Sequence, residues 1–186
     1  MNTFKTIIRF ALIAIISLSV FSCRNNEDVP EDIHEHEEAN KITLTLTENG
    51  SANTQTVIYQ TGSGADKALM LENGKTYTAE VKFYHAHGTA QEDLTPEIIT
   101  EKDEHFLEYA FAGVNIEITR GTTDITRTDG KKLGLKSQWK VTSAPSNAKA
   151  NIKLIHGASS VDDMASNGGG KHTGGETDID VTFDVK

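Results

Sequence analysis

Along most of this chain, apolar and polar residues alternate with a period of two, the pattern of strands that bury one face. "KITLTLT" (41–47) sets Ile42, Leu44 and Leu46 against threonines, and Asn49-Gly50 turns the chain toward "TQTVIYQ" (54–60). Asn73-Gly74 joins "KALML" (67–71) to a strand at 77–87, in which Tyr77, Ala79, Val81 and Phe83 take the core side. Further strands are predicted at 105–111, 114–120, 135–142, 150–156 and 177–185, and parity places Trp139 inside. "EDLTPEIITEKDE" (92–104) is the single helical candidate, with Pro96 near its first turn. About nine short strands with regular turn signals predict an all-β fold. The expected form is a single Ig-like antiparallel β-sandwich with one short helix in a crossover.

The N-terminus has a different character. Residues 1–22 carry a short basic start (Lys5, Arg9) and an apolar run from Phe10 to Phe21, the layout of an export signal. Twelve helical residues reach only about 18 Å against a hydrocarbon core of about 30 Å, so a transmembrane span is not expected. Cys23, the only cysteine, stands directly after this run and has no partner for an internal disulfide. Val20-Phe21-Ser22-Cys23 resembles a bacterial lipobox, with Phe21 bulkier than the usual residue there. That resemblance implies cleavage before an acylated Cys23. Residues 23–40 then form a lipidated, acidic and disordered tether, and residues 41–186 form the domain.

Charge restricts the partners. Loss of Lys5 and Arg9 with the signal leaves 16 basic against 27 acidic residues, a net charge near −11. Such a chain repels nucleic acid and attracts cations. No nucleophile and base pair can be named, so enzyme activity is not expected. "NGGGKHT" (167–173) lacks the first glycine and the Ser or Thr of a phosphate loop and reads as flexible, and "TDITRTDG" (123–130) lacks calcium-loop spacing.

The remaining chemistry lies in the seven histidines. His85 and His87 continue the core-side parity of their strand, and His105 opens the next with the same parity, beside Asp103 and Glu104. Neutral imidazoles with a carboxylate suit zinc or another late divalent metal. If every connection reverses the chain, His156, His172 and the tether histidines His34 and His36 fall at the same end. The candidate metal ligands are therefore His85, His87, His105 and Asp103, with His34, His36, His156 and His172 as further members.

The tether, "ITLTLT", "EDLTPEIITEKDEHFLEYAF" and the terminal "GGETDIDVTFDV" together resemble a group of small Bacteroidota cell-envelope lipoproteins, some labelled periplasmic-binding domain. The resemblance covers most of the mature chain. It implies a lipid-anchored protein of the outer membrane, on the cell surface or its periplasmic face, and transfers no catalytic residues. The functional expectation is a divalent-metal-binding lipoprotein accessory to an outer-membrane transporter. The alternative is a metal-independent interaction or adhesin-like module. Replacing Cys23 with Ala should release the protein from membranes or leave an uncleaved precursor, because firm anchoring needs acyl chains on that thiol. Fractionation of cells expressing Cys23→Ala checks this, and unchanged partition into membranes would refute it.

Overall fold

A computed structural model describes residues 38–186. The expected signal segment, Cys23, His34 and His36 lie outside the described residues. The described chain is an antiparallel all-β sandwich, as the alternation predicts. The larger sheet contains β1 (Lys41–Glu48), β2 (Thr54–Gln60), β3 (Gly64–Ala65), β4 (Thr76–His87), β7 (Ile116–Thr119) and β8 (Lys136–Val141), in the order β3-β2-β1-β4-β8-β7. A hairpin partner, β5 (Ala90–Asp93), also pairs with β4. The facing sheet is β12 (Glu176–Val185), β9 (Ala148–His156) and β6 (His105–Ala112), in that order. β10 (Ser160–Asp162) and β11 (Lys171–Thr173) form a separate hairpin.

The alternation converts directly into packing. Ile42, Leu44, Leu46, Val81 and Phe83 of the larger sheet and Ile152, Leu154, Val181 and Phe183 of the smaller are all buried. Outward threonines pair across strands, Thr45 with Thr56 and Thr47 with Thr54, both at 3.0 Å. Trp139 is fully buried and donates its indole N–H to Ser137 Oγ at 2.9 Å. Tyr109 and Phe111 from the opposite sheet meet its ring edge-on, at centroid distances of 5.7 and 5.1 Å.

Two local expectations differ from the structure. "KALML" is not a strand of the larger sheet. It crosses to the smaller one, where Leu69 bridges Val185 in parallel and the Leu71 N–H donates to Lys186 O at 2.8 Å. The helix is also shorter than 92–104. α1 spans Thr95–Thr100, because Glu92 and Asp93 stay in register with β4 and the Thr95 N–H is taken by Asp93 Oδ1 at 2.9 Å.

Strand direction fixes which ends coincide. Residues 113–115 carry the chain from the end of β6 to the start of β7, and β7 runs parallel to β4 because both are antiparallel to β8. β6 therefore starts at the end of the sandwich where β4 finishes.

The turn at 166–170 closes the edge between β6 and β7. The Tyr109 N–H of β6 donates to Gly169 O at 2.8 Å. A Cβ on Gly168 would lie 2.0 Å from Ile118 O, and one on Gly169 would lie 2.3 Å from Tyr109 O. The glycines read from sequence as a flexible loop are thus seated between two strands. Gly169 has an ordinary φ of −65°, so its substitution tests close approach alone. Gly169→Ala should destabilise the domain by about 1–3 kcal/mol, several degrees in Tm. Gly121→Ala, with nothing within 4 Å of the added carbon, should stay within about 0.5 kcal/mol. Thermal melts of the two variants decide it, and equal melting temperatures would contradict the packing described.

Candidate metal centre

Three strands of the smaller sheet each bring one ligand-bearing side chain to the same end. His105 opens β6, and its cross-strand partner on β9 is His156. Their rings stack at 4.8 Å between centroids and 9° between planes. The third is Asp178 of β12. Ile179, Val181, Phe183 and Val185 hold the core side of β12, so strict alternation would turn Asp178 outward. A β-bulge between Thr177 and Ile179 interrupts the register against β9. Bulges re-aim side chains in this way, and Asp178 Oδ2 comes to 3.7 Å from His105 Nε2. One ligand atom from each of the three residues lies within 4.8 Å of the other two.

A hydrogen bond sets the tautomer of His105. His105 Nδ1 lies 3.2 Å from Glu101 O, and a carbonyl can only accept, so Nδ1 carries the proton. Burial lowers the His105 pKa and keeps the ring neutral, despite the opposing pull of the Glu101 carbonyl and of Asp178. Nε2 is then the lone-pair nitrogen and faces the Asp178 carboxylate at 3.7 Å, two donor atoms of the kind that a cation can bridge. His156 Nε2 lies 3.2 Å from Glu104 Oε2. A ring nitrogen committed to a carbonyl or carboxylate, with the other turned to the metal, is the usual outer-shell pattern of metal-binding histidines. The backbone of His105 is held as well: its carbonyl accepts from Arg127, whose guanidinium also bonds Lys102 O at 3.0 Å. Glu101 adds negative charge nearby, and its Oε2 is buried with no hydrogen-bond partner among the described residues.

The other candidates lie elsewhere. His85 is half-buried, with Nδ1 at 3.0 Å from Glu38 O, and pairs across the β4–β5 hairpin with Glu92. His87 is exposed at the tip of that hairpin, opposite Ala90. Neither joins the group of His105, His156 and Asp178. Asp103 is committed to Thr128, accepting its N–H and its hydroxyl at 2.6 Å each, and these bonds hold its carboxyl below the usual range. His172 pairs with Glu108 at 2.7 Å, and Glu108 lies on the outward series of β6, away from the core-side His105.

His105 finds its partner on β9 because β6 leaves the sheet of β4. Parity and direction are compatible with both arrangements. Asp178 was invisible to sequence reasoning, since its position in "ETDIDVTFDV" reads as outward; the glycine pair 174–175 just before it is the only local hint of irregularity. Protein-family models, curated proteins and solved structures include no match to this chain. Fold and cluster together define a β-sandwich with a histidine–carboxylate group at one end.

The buried, neutral His105 also predicts a pH dependence for the metal-free protein. In the unfolded chain this histidine takes a proton near pH 6.5, whereas in the fold its pKa lies lower. The unfolded state thus binds more protons in that window. Its contribution to stability is fully present above about pH 6.5 and declines as pH falls toward the folded pKa. Urea midpoints measured at pH 7.5 and 5.5 should show the loss, and His105→Gln should reduce it. An equal loss in the variant would show that His105 is not its source.

Proposed function

We propose that this protein binds a zinc-like divalent cation through His105, His156 and Asp178, as an envelope lipoprotein held by an acylated Cys23 beside an outer-membrane transporter. The observation that carries the metal reading is the convergence of three ligand atoms within 4.8 Å, each from a different strand, with Asp178 turned inward by a bulge. Two nitrogens and a carboxylate oxygen suit zinc and neighbouring late divalent metals better than magnesium or calcium. Tetrahedral ligands at about 2.0–2.1 Å from zinc stand about 3.3 Å apart, so His105 and Asp178, at 3.7 Å, need to close only slightly, and a pair at the 4.8 Å limit by more than an ångström. Solvent would fill the remaining coordination positions. The surplus of acidic residues raises the local concentration of cations. Anchoring rests on the lone cysteine at the end of the apolar leader.

Calorimetry of the mature chain without a histidine tag tests the metal reading. Zinc should bind with a Kd below about 10 µM. His105→Ala, His156→Ala and Asp178→Ala should each weaken binding at least tenfold, about 1.4 kcal/mol, whereas His85→Ala should not. No binding below about 100 µM, or equal loss in the His85 variant, would overturn the assignment.

A further inference from the structure

A second region of the molecule forms a cleft and shares no residue with the histidine cluster. Beside the glycine turn, the edge of the sandwich between β6 and β7 opens into a cleft of about 670 Å3. Its volume falls in the range of small-molecule sites. The seating of the three glycines fixes one wall, because Gly168 and Gly169 press on Ile118 O and Tyr109 O, and Gly170 lies against Phe106. Ser166 and Asn167, both held at left-handed φ of 54° and 58°, and Lys171 line the cleft from that wall. Opposite them stand Asn115 and the apolar Val114 and Ile116.

The polar groups on this surface are not consumed by the fold. The side chains of Ser166, Asn167, Lys171 and Asn115 make no hydrogen bond or ion pair among the described residues, whereas neighbouring Lys153 is neutralised by Asp180 at 3.1 Å. Glu108 accepts from His172 through Oε1, which leaves its other oxygen as an acceptor at the cleft. Edge-facing N–H groups alternate along β6: those of Leu107 and Tyr109 are taken by Leu133 O and Gly169 O, and the next in the series, Phe111, borders the cleft.

We propose that this cleft binds a small carboxylate bearing several hydroxyl groups, a sugar acid in chemical class. One ammonium without a carboxylate partner, Lys171, matches a single negative charge. The amides of Asn115 and Asn167 offer a donor and an acceptor each, as hydroxyls require. The half-buried Phe111 provides the apolar surface for the C–H face of a ring, with Val114 and Ile116 buried in the core behind it. A phosphate is disfavoured, since the amides of the turn are used internally: Gly168 and Gly170 donate to Ala165 O at 3.0 and 2.9 Å, and Gly169 donates to Ser166 O at 3.1 Å.

Titration of the mature protein with D-glucuronate, D-glucose and inorganic phosphate, followed by NMR or calorimetry, tests the proposal. Glucuronate should saturate with a Kd below about 5 mM, with glucose and phosphate at least tenfold weaker. Lys171→Ala and Asn167→Ala should each weaken glucuronate at least fivefold, while His105→Ala leaves it unchanged, which separates this site from the metal centre. A glucuronate-containing oligosaccharide that binds more tightly than the monomer supports the proposal with a polymer as source; equal binding supports it with the free acid as source. No saturation up to about 50 mM, stronger binding of phosphate, or full binding by Lys171→Ala would overturn it.

Discussion

Five main-chain carbonyls converge on the guanidinium of Arg120, and the closed edge of the sandwich depends on them. Nη2 donates to Leu107 O at 2.7 Å and Gly169 O at 2.8 Å, Nε to Gly168 O at 3.2 Å, and Nη1 to Lys132 O and Leu133 O at 3.2 and 3.3 Å. These carbonyls belong to β6, to the glycine turn and to the loop before β8, where the ladder of a sheet does not reach. Leu133 O and Gly169 O also accept N–H groups of β6, but Leu107 O, Gly168 O and Lys132 O, left unpaired, would each cost free energy comparable to a lost hydrogen bond. Arginine alone carries five donors in a planar fork, so lysine could not replace it. The cation is itself buried, packed on Phe106 at 4.7 Å and Tyr109 at 5.6 Å. Burial lowers its pKa, and Tyr109, Asp124, Asp163 and Glu108 act in the opposite direction.

The acids around Arg120 hold loops in turn. Asp124 accepts the N–H groups of Gly134 and Lys136 at 2.7 and 3.0 Å, and Asp163 accepts that of Lys132 at 2.8 Å. The Tyr109 hydroxyl donates to Gly134 O, a short bond of 2.5 Å. Long connections between β7 and β8 and between β9 and β12 are thereby fastened to β6. Both candidate sites inherit their rigidity from this arrangement: the cleft through its glycine wall, and the metal centre through Arg127 on the His105 carbonyl.

Much of the fold was legible in the sequence, because the alternation of apolar and polar residues is a local signal of which face is buried. Ile42, Leu44 and Leu46, the odd residues from Tyr77 to Phe83, and Trp139 all stand where parity places them. "KALML" misled because a short apolar run states that it is buried but not which sheet buries it. The helix was overextended because acids and a proline mark its first turn without showing that Glu92 and Asp93 pair with β4. Within the candidate site, the types and parity of His105 and His156 were readable. Their pairing with each other was not, since it depends on β6 joining β9, a contact 51 residues away in sequence.

The sequence by itself determined the strands, their buried faces, the acidic charge and the histidines available for chemistry, because each follows from residue type and spacing along a few neighbours. Only the tertiary structure decided which histidines meet, that Asp178 turns inward at a bulge, and that three glycines form a wall. Those outcomes depend on contacts between segments far apart in the chain, where close backbone approach and the saturation of buried carbonyls select the arrangement.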